Sequence, residues 1–121
     1  MTISNVQYKA TNTDLDITLQ GLVEHKLESL EKYFGNKDAV ICEVEFEKET
    51  AHQSGKHFRV EVNLELDGKL YRVEATEHNF EKAVDEVRDE LDKQLRRDVK
   101  KHTTLVRRGS QAIKGMMRMG E

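Results

Sequence analysis

Phe58-Arg59-Val60-Glu61-Val62-Asn63-Leu64-Glu65-Leu66-Asp67-Gly68-Lys69-Leu70-Tyr71-Arg72-Val73-Glu74-Ala75 is the stretch that decides the fold. Phe58, Val60, Val62, Leu64 and Leu66 alternate with polar residues, and a period of two puts them on one face of an extended strand. Asp67-Gly68 supplies a tight turn, because both residues tolerate the positive φ of a two-residue hairpin, and Tyr71, Val73 and Ala75 resume the apolar face on the returning strand. Toward the N-terminus, Val40, Cys42, Val44 and Phe46 alternate with Ile41, Glu43, Glu45 and Glu47, so another half-buried strand precedes the hairpin. The polar segment 49–56 contains Ser54-Gly55 and reads as a flexible hairpin loop. Val6, Tyr8 and Ala10, set between Gln7 and Lys9, mark a first strand.

The remaining apolar residues follow a helical period. Leu15, Leu19, Leu22, Val23, Leu27, Leu30 and Phe34 recur at steps of three and four and predict a helix over 16–34, capped by Asp14 or Asp16 and ended by Gly35-Asn36. Phe80, Ala83, Val84, Val87, Leu91, Leu95 and Val99 predict a second helix over 79–102. Thr103 and Thr104 are poor helix formers, and Gly109 and Gly115 interrupt the residues after them, so 103–121 reads as a flexible, basic, methionine-containing tail. The fold class is α+β in the order βαβββα: a four-stranded sheet with one apolar face, and both helices packed on that face.

Composition sets the outer bounds. A chain of 121 residues has room for one core, and 36% charged residues with a mean hydropathy of −0.76 leave that core thin. No apolar run is long enough to span a membrane, and Met1-Thr2-Ile3-Ser4-Asn5 lacks the pattern of an export signal, so a cytoplasmic location is expected. The only cysteine, Cys42, excludes an intramolecular disulfide.

No enzyme is expected. Histidines 25, 52, 57, 78 and 102 have no metal-ligand spacing, and a second cysteine to complete a zinc site is missing. Cys42 falls on the inward face of a strand, where cysteine behaves as a small hydrophobe. Gly55 and Gly68 belong to hairpins, which leaves no phosphate-cradling glycine loop. Neither a cofactor nor a small-molecule substrate is called for. Glu43, Glu45, Glu47, Glu61 and Glu65 line the outer face of the sheet, with Arg59 and Arg72 as partial compensation, and such a face repels phosphate.

The net charge of −3 hides a partition. Residues 1–92 carry 11 Lys and Arg against 21 Asp and Glu, whereas 93–118 carry 9 Lys and Arg against the single acid Asp98, a local charge of +8. Lys93, Arg96, Arg97, Lys100 and Lys101 stand at i, i+3, i+4, i+7 and i+8, a single stripe on the second helix, with Arg88 extending it toward the N-terminal half. Cations at a helix C-terminus favour the macrodipole by only about 0.3–1 kcal/mol each, which does not account for a run that continues through Arg107, Arg108, Lys114 and Arg118. Phosphate contact is the better reading.

The helix sequences carry a resemblance. Leu19, Val23, Lys26 and Leu30-Glu31-Lys32-Tyr33-Phe34, followed by Ala83-Val84-Asp85 and Leu91-x-Lys93-Gln94-Leu95-x-Arg97, resemble the ribosome hibernation promoting factor family, also called sigma 54 modulation proteins, over residues 1–102. The resemblance implies a layout similar to double-stranded RNA-binding domains. It also implies binding to ribosomal RNA of the small ribosomal subunit, where occlusion of messenger and transfer RNA would silence translation. Lys26, Lys93 and Arg97 match the family's basic positions, and Arg96, Lys100 and Lys101 lie in its basic helix end. Glu90 stands where a base is common, Asn79 and Glu81 replace an Asp and an aromatic, and Asp98 interrupts the basic run. The dimer-forming second domain of long members does not fit in residues 103–121, so a short form is expected, with a ribosome-binding domain over 1–102 and a tail in which Arg107, Arg108, Lys114 and Arg118 are possible contacts. The alternative is a protein-interaction module acting through the acidic sheet face or through Ile113, Met116, Met117 and Met119.

Overall fold

The structure is a computed structural model that describes residues 6–34, 39–50, 55–66 and 68–120; side chains are described only outside 39–41 and 102–120. Its elements are β1 (Val6–Thr11), α1 (Ile17–Glu28), a 3-10 turn (Glu31–Tyr33), β2 (Ala39–Lys48), β3 (Phe58–Leu66), β4 (Lys69–Glu77) and α2 (Phe80–Gly120). This is the βαβββα order, and the four strands form one sheet in the order β1-β2-β3-β4. β1 pairs parallel with β2, so α1 is the crossover between them, while β2, β3 and β4 pair antiparallel.

Register carries the period-two pattern across the sheet. Tyr8 faces Val44, Val44 faces Val62 and Val62 faces Val73, so one apolar row crosses all four strands. Both helices cover this face: Val23, Leu27, Leu30 and Phe34 meet Ala83, Val84, Val87, Leu91 and Leu95 over Cys42, Val44, Phe46, Val60, Val62 and Leu64. Phe80 packs edge-on against Phe46 and Phe58, with ring centroids 5.5 and 4.9 Å apart. Gly68 takes φ +81° at the β3–β4 turn, the left-handed conformation the hairpin requires; Asp67 lies outside the described residues, as do Gly35 and Asn36.

The helices depart from the sequence expectation at their ends. Asp16 caps α1 by accepting from the Thr18 N–H at 2.8 Å, but the helix stops at Glu28 and a 3-10 turn brings Leu30 and Phe34 into the core. The apolar spacing survives a change of helix type because both side chains still point inward. Asn79 starts α2, its Oδ1 accepting from the Lys82 N–H at 2.7 Å. The backbone of α2 stays helical through Gly120, past the end that Thr103 and Thr104 predict: Thr and Gly each cost at most about 1 kcal/mol in a helix, and the chain has no proline to stop it.

Candidate nucleic-acid interface

At 100° per residue the apolar positions of α2 define a buried face, and Lys93, Arg96, Arg97, Lys100 and Lys101 span an arc of about 140° on the other side. All five side chains are exposed. The helix is anchored beneath them by Leu91 and Leu95, which are essentially inaccessible.

Three acids of α2 are held off this arc by contacts with the rest of the fold, and Glu86, Asp89 and Glu90 lie before it along the helix axis. Asp85 pairs with Lys26 of α1 at 3.0 Å, and Asp92 accepts from the Tyr33 hydroxyl at 2.8 Å. Asp98 accepts from the Tyr71 hydroxyl at 2.7 Å and pairs with Lys69, both on β4. Hydrogen bonds from Lys69 and Tyr71 hold the Asp98 carboxyl below its usual range, while burial and the bond to Asp98 push the Tyr71 phenol up. Asp98 thus breaks the basic run in sequence but not in space. Seven residues after Leu91, it lies only about 20° from that residue on the helical wheel, in the middle of the buried face. Val99, expected in the core, lies about 80° from Leu91 and is 42% exposed. The signal was available in the spacing; the charge of Asp98 concealed it.

Lys26 and Arg88 belong to a different place. With His25, Ser29, Asp85 and Asp89 they line a cleft between the last turn of α1 and α2. Arg88 donates to Ser29 Oγ and to Asp89, both at 3.1 Å, so it turns toward α1 and does not extend the stripe. The structure therefore brings five of the seven cations expected in the domain together and sets the other two apart, each beside a carboxylate. Arg107, Arg108, Lys114 and Arg118 occupy helical positions, and their side chains lie outside the described residues, as do those of Ile113, Met116, Met117 and Met119.

The outer face of the sheet is acidic but internally knitted. Glu45, Glu61 and Glu74 are direct cross-strand neighbours on β2, β3 and β4, a row of like charges that alone would be destabilising. Arg59 bonds Glu45, Glu47, Glu61 and Glu74, Arg72 adds a bond to Glu61 at 2.8 Å, and Lys9 lies 3.9 Å from Glu45. Glu61, although on the outer face, is buried beneath these partners. Among the described residues no three His, Cys, Asp or Glu side chains are grouped to hold a metal, and no helix is long and apolar enough to cross a membrane.

Comparison with known proteins agrees with this architecture. A family model described as sigma 54 modulation protein / S30EA ribosomal protein matches residues 6–103. Among solved structures, the chain is similar to the N-terminal domain of Thermus thermophilus protein Y, with 26% identity, coverage of 77% of this chain and 97% of that one, and a TM-score of 0.64. It is also similar to a ribosomal subunit interface protein from Coxiella burnetii, with 21% identity, coverage of 76% and 93%, and a TM-score of 0.62, a likeness of fold. No curated protein sequence matches at a significant level.

Proposed function

Because the chain belongs to the sigma 54 modulation protein / S30EA ribosomal protein family, we propose that it is a ribosome-associated translation inhibitor that binds the small subunit through α2 and occludes the sites of messenger and transfer RNA. The observation that carries this reading is the arc of five exposed cations on α2, from which the helix's own Asp85, Asp92 and Asp98 are turned away. Lys93, Arg96, Arg97, Lys100 and Lys101 meet phosphates, whose charge and spacing suit a row of long flexible cations one helical turn apart. Lys26 and Arg88, in the separate cleft between α1 and α2, offer a second point of phosphate contact once RNA phosphate competes with Asp85 and Asp89. The basic segment 103–121, with Arg107, Arg108, Lys114 and Arg118, supplies further phosphate contacts beyond the domain of residues 1–102. The acidic sheet face penalises any pose that turns it toward RNA and so helps orient the protein. No bond is made or broken in this scheme, so inhibition is stoichiometric with ribosomes and the protein acts in the cytoplasm, where ribosomes are.

Co-sedimentation with purified small ribosomal subunits tests it. Wild-type protein is expected to pellet at one copy per subunit and to inhibit translation only near that ratio, and the double reversal R97E/K101E is expected to remove both effects. Inhibition at a small fraction of the ribosome concentration, or binding untouched by the reversal, would overturn the reading.

A further inference from the structure

The only acid within residues 93–118 sits between the cations of the stripe, with Arg96 and Arg97 before it and Lys100 and Lys101 after it. As a charge, Asp98 weakens a polyanion-binding surface. Its geometry assigns it a different role. The Asp98 side chain is 23% exposed and points to β4, where it accepts the Tyr71 hydroxyl at 2.7 Å and pairs with the Lys69 ammonium, which also lies 5.1 Å from the Tyr71 ring centroid. Tyr71 is buried, so the hydroxyl that Asp98 meets is held by a side chain packed in the core. Among the described residues, Leu95 is the last side chain of α2 sealed into the apolar core, and Asp98 ties the helix to the sheet about one turn beyond it. Past its last core contact a helix is held to the fold only by its own backbone hydrogen bonds, and bending or local opening there carries the cations of its outer arc away from a common direction.

Resting on the reading that the stripe binds ribosomal RNA, we infer that Asp98 is a positioning residue for that contact: its bonds to Tyr71 and Lys69 hold the segment of α2 beyond Leu95 against β4 so that Arg96, Arg97, Lys100 and Lys101 face one polyanion together. The ordering cost of aligning these cations is then met during folding instead of on binding, which raises affinity without adding a contact. Charge alone predicts the opposite. Removing the negative charge of Asp98 should strengthen RNA binding if only the field matters, and weaken it if the tether to β4 matters.

The test is fluorescence anisotropy of the full chain titrated with purified small ribosomal subunits at several salt concentrations. Asp98→Asn removes the charge with little change of shape. Tyr71→Phe removes the hydroxyl and leaves the net charge as it is. Glu90→Gln makes the same charge change as Asp98→Asn at an exposed position of the same helix, where the carboxylate accepts from Gln94, and serves as the matched control. Asp98→Asn and Tyr71→Phe are expected to weaken binding roughly three- to tenfold at moderate salt and to flatten the slope of log K against log salt by one or two contacts, each about 0.9. Glu90→Gln is expected to leave binding unchanged or tighten it. Simple loss of stability would lower the fraction of active protein but not the salt slope, and circular dichroism of each variant reports that fraction. If R97E/K101E abolishes binding while Asp98→Asn and Tyr71→Phe bind as tightly as the wild type or tighter, the positioning role falls and the stripe stands. If R97E/K101E binds normally, both fall.

Discussion

Arg59 satisfies four carboxylates drawn from three strands, and its side chain is only 16% exposed. Burial pushes the Glu61 carboxyl up, but hydrogen bonds from Arg59 and Asn63 and the charges of Arg59 and Arg72 outweigh it and hold that carboxyl below the usual range. Breaking a buried ion pair by removing one partner leaves an uncompensated charge, at a cost of about 3–5 kcal/mol when burial is complete. Arg59→Met is therefore expected to lower the urea-unfolding free energy by roughly 2–4 kcal/mol, the partial exposure taking something off the full figure. A neutral loss would mean that the network contributes no more than a surface ion pair. The sign with pH is set by the lowered folded-state values of Glu61 and Asp98: their stabilisation is present above the ordinary carboxylate range and is lost as pH falls through it. Stability measured by urea titration should decline on the acid side of about pH 4.5, and Arg59→Met should show a shallower decline. Cys42 gives a second residue-scale prediction. Burial pushes its thiol up to about 12, and Glu43 adds to the effect, so no significant thiolate exists at neutral pH. Alkylation by iodoacetamide should be slow in the native protein and rapid in urea; fast native labelling would mean that β2 opens readily.

At the scale of the element, α2 divides cleanly between its two sides. Leu91 is fully buried between the sheet and α1, whereas Arg97 and Lys101 are exposed. Leu91→Ala removes buried methylenes and leaves a cavity, so a loss of about 2–5 kcal/mol is expected. Reversing both Arg97 and Lys101 changes the net charge by four yet removes no core contact, and thermal unfolding should shift by no more than a few degrees. A collapse of R97E/K101E would show that the cationic side of α2 supports the fold. A helix rich in acids can still present a basic arc because Glu81, Asp85, Glu86, Asp89, Glu90 and Asp92 all precede Lys93 along the axis and Asp98 alone falls among the cations. Asp85, Asp92 and Asp98 each find a partner on α1, the 3-10 turn or β4, and the geometry that satisfies them turns them from the stripe.

For the whole molecule, charge is segregated between two surfaces. The outer face of the sheet carries Glu43, Glu45, Glu47, Glu61, Glu65 and Glu74, and the outer side of α2 carries the five cations. If each stripe residue neutralises one phosphate, affinity for ribosomal subunits should fall with salt at a slope of roughly −3.5 to −4.5, with about 0.7–0.9 per contact. Truncation after His102 should flatten the slope further only if Arg107, Arg108, Lys114 or Arg118 also engages. Binding that barely changes between low and moderate salt would reduce the stripe to a solvated helix face.

The alternation of Val60, Val62, Leu64 and Leu66, the turn at Gly68 and the three- and four-residue steps of the helices were enough to define the βαβββα order and the buried face. Each is a local period, and a half-buried strand or helix must match it wherever its partners lie. The five cations of the stripe were legible for the same reason, since their spacing along one helix places them together. What lay between elements was not. The burial of Glu61 beneath an Arg59 that also binds carboxylates of β2 and β4, the withdrawal of Lys26 and Arg88 into a cleft between α1 and α2, and the bond between Asp98 and Tyr71 all depend on residues of different elements, and the break of α1 into a 3-10 turn follows the demands of the core. A carboxylate looks the same in sequence whether it faces water or a partner hydroxyl. Spacing places Asp98 on the buried side of α2, but only the packing of α2 across β4 decided that Tyr71 and Lys69 meet it there, because distance and charge compensation between elements are set by the tertiary arrangement and not by spacing along the chain.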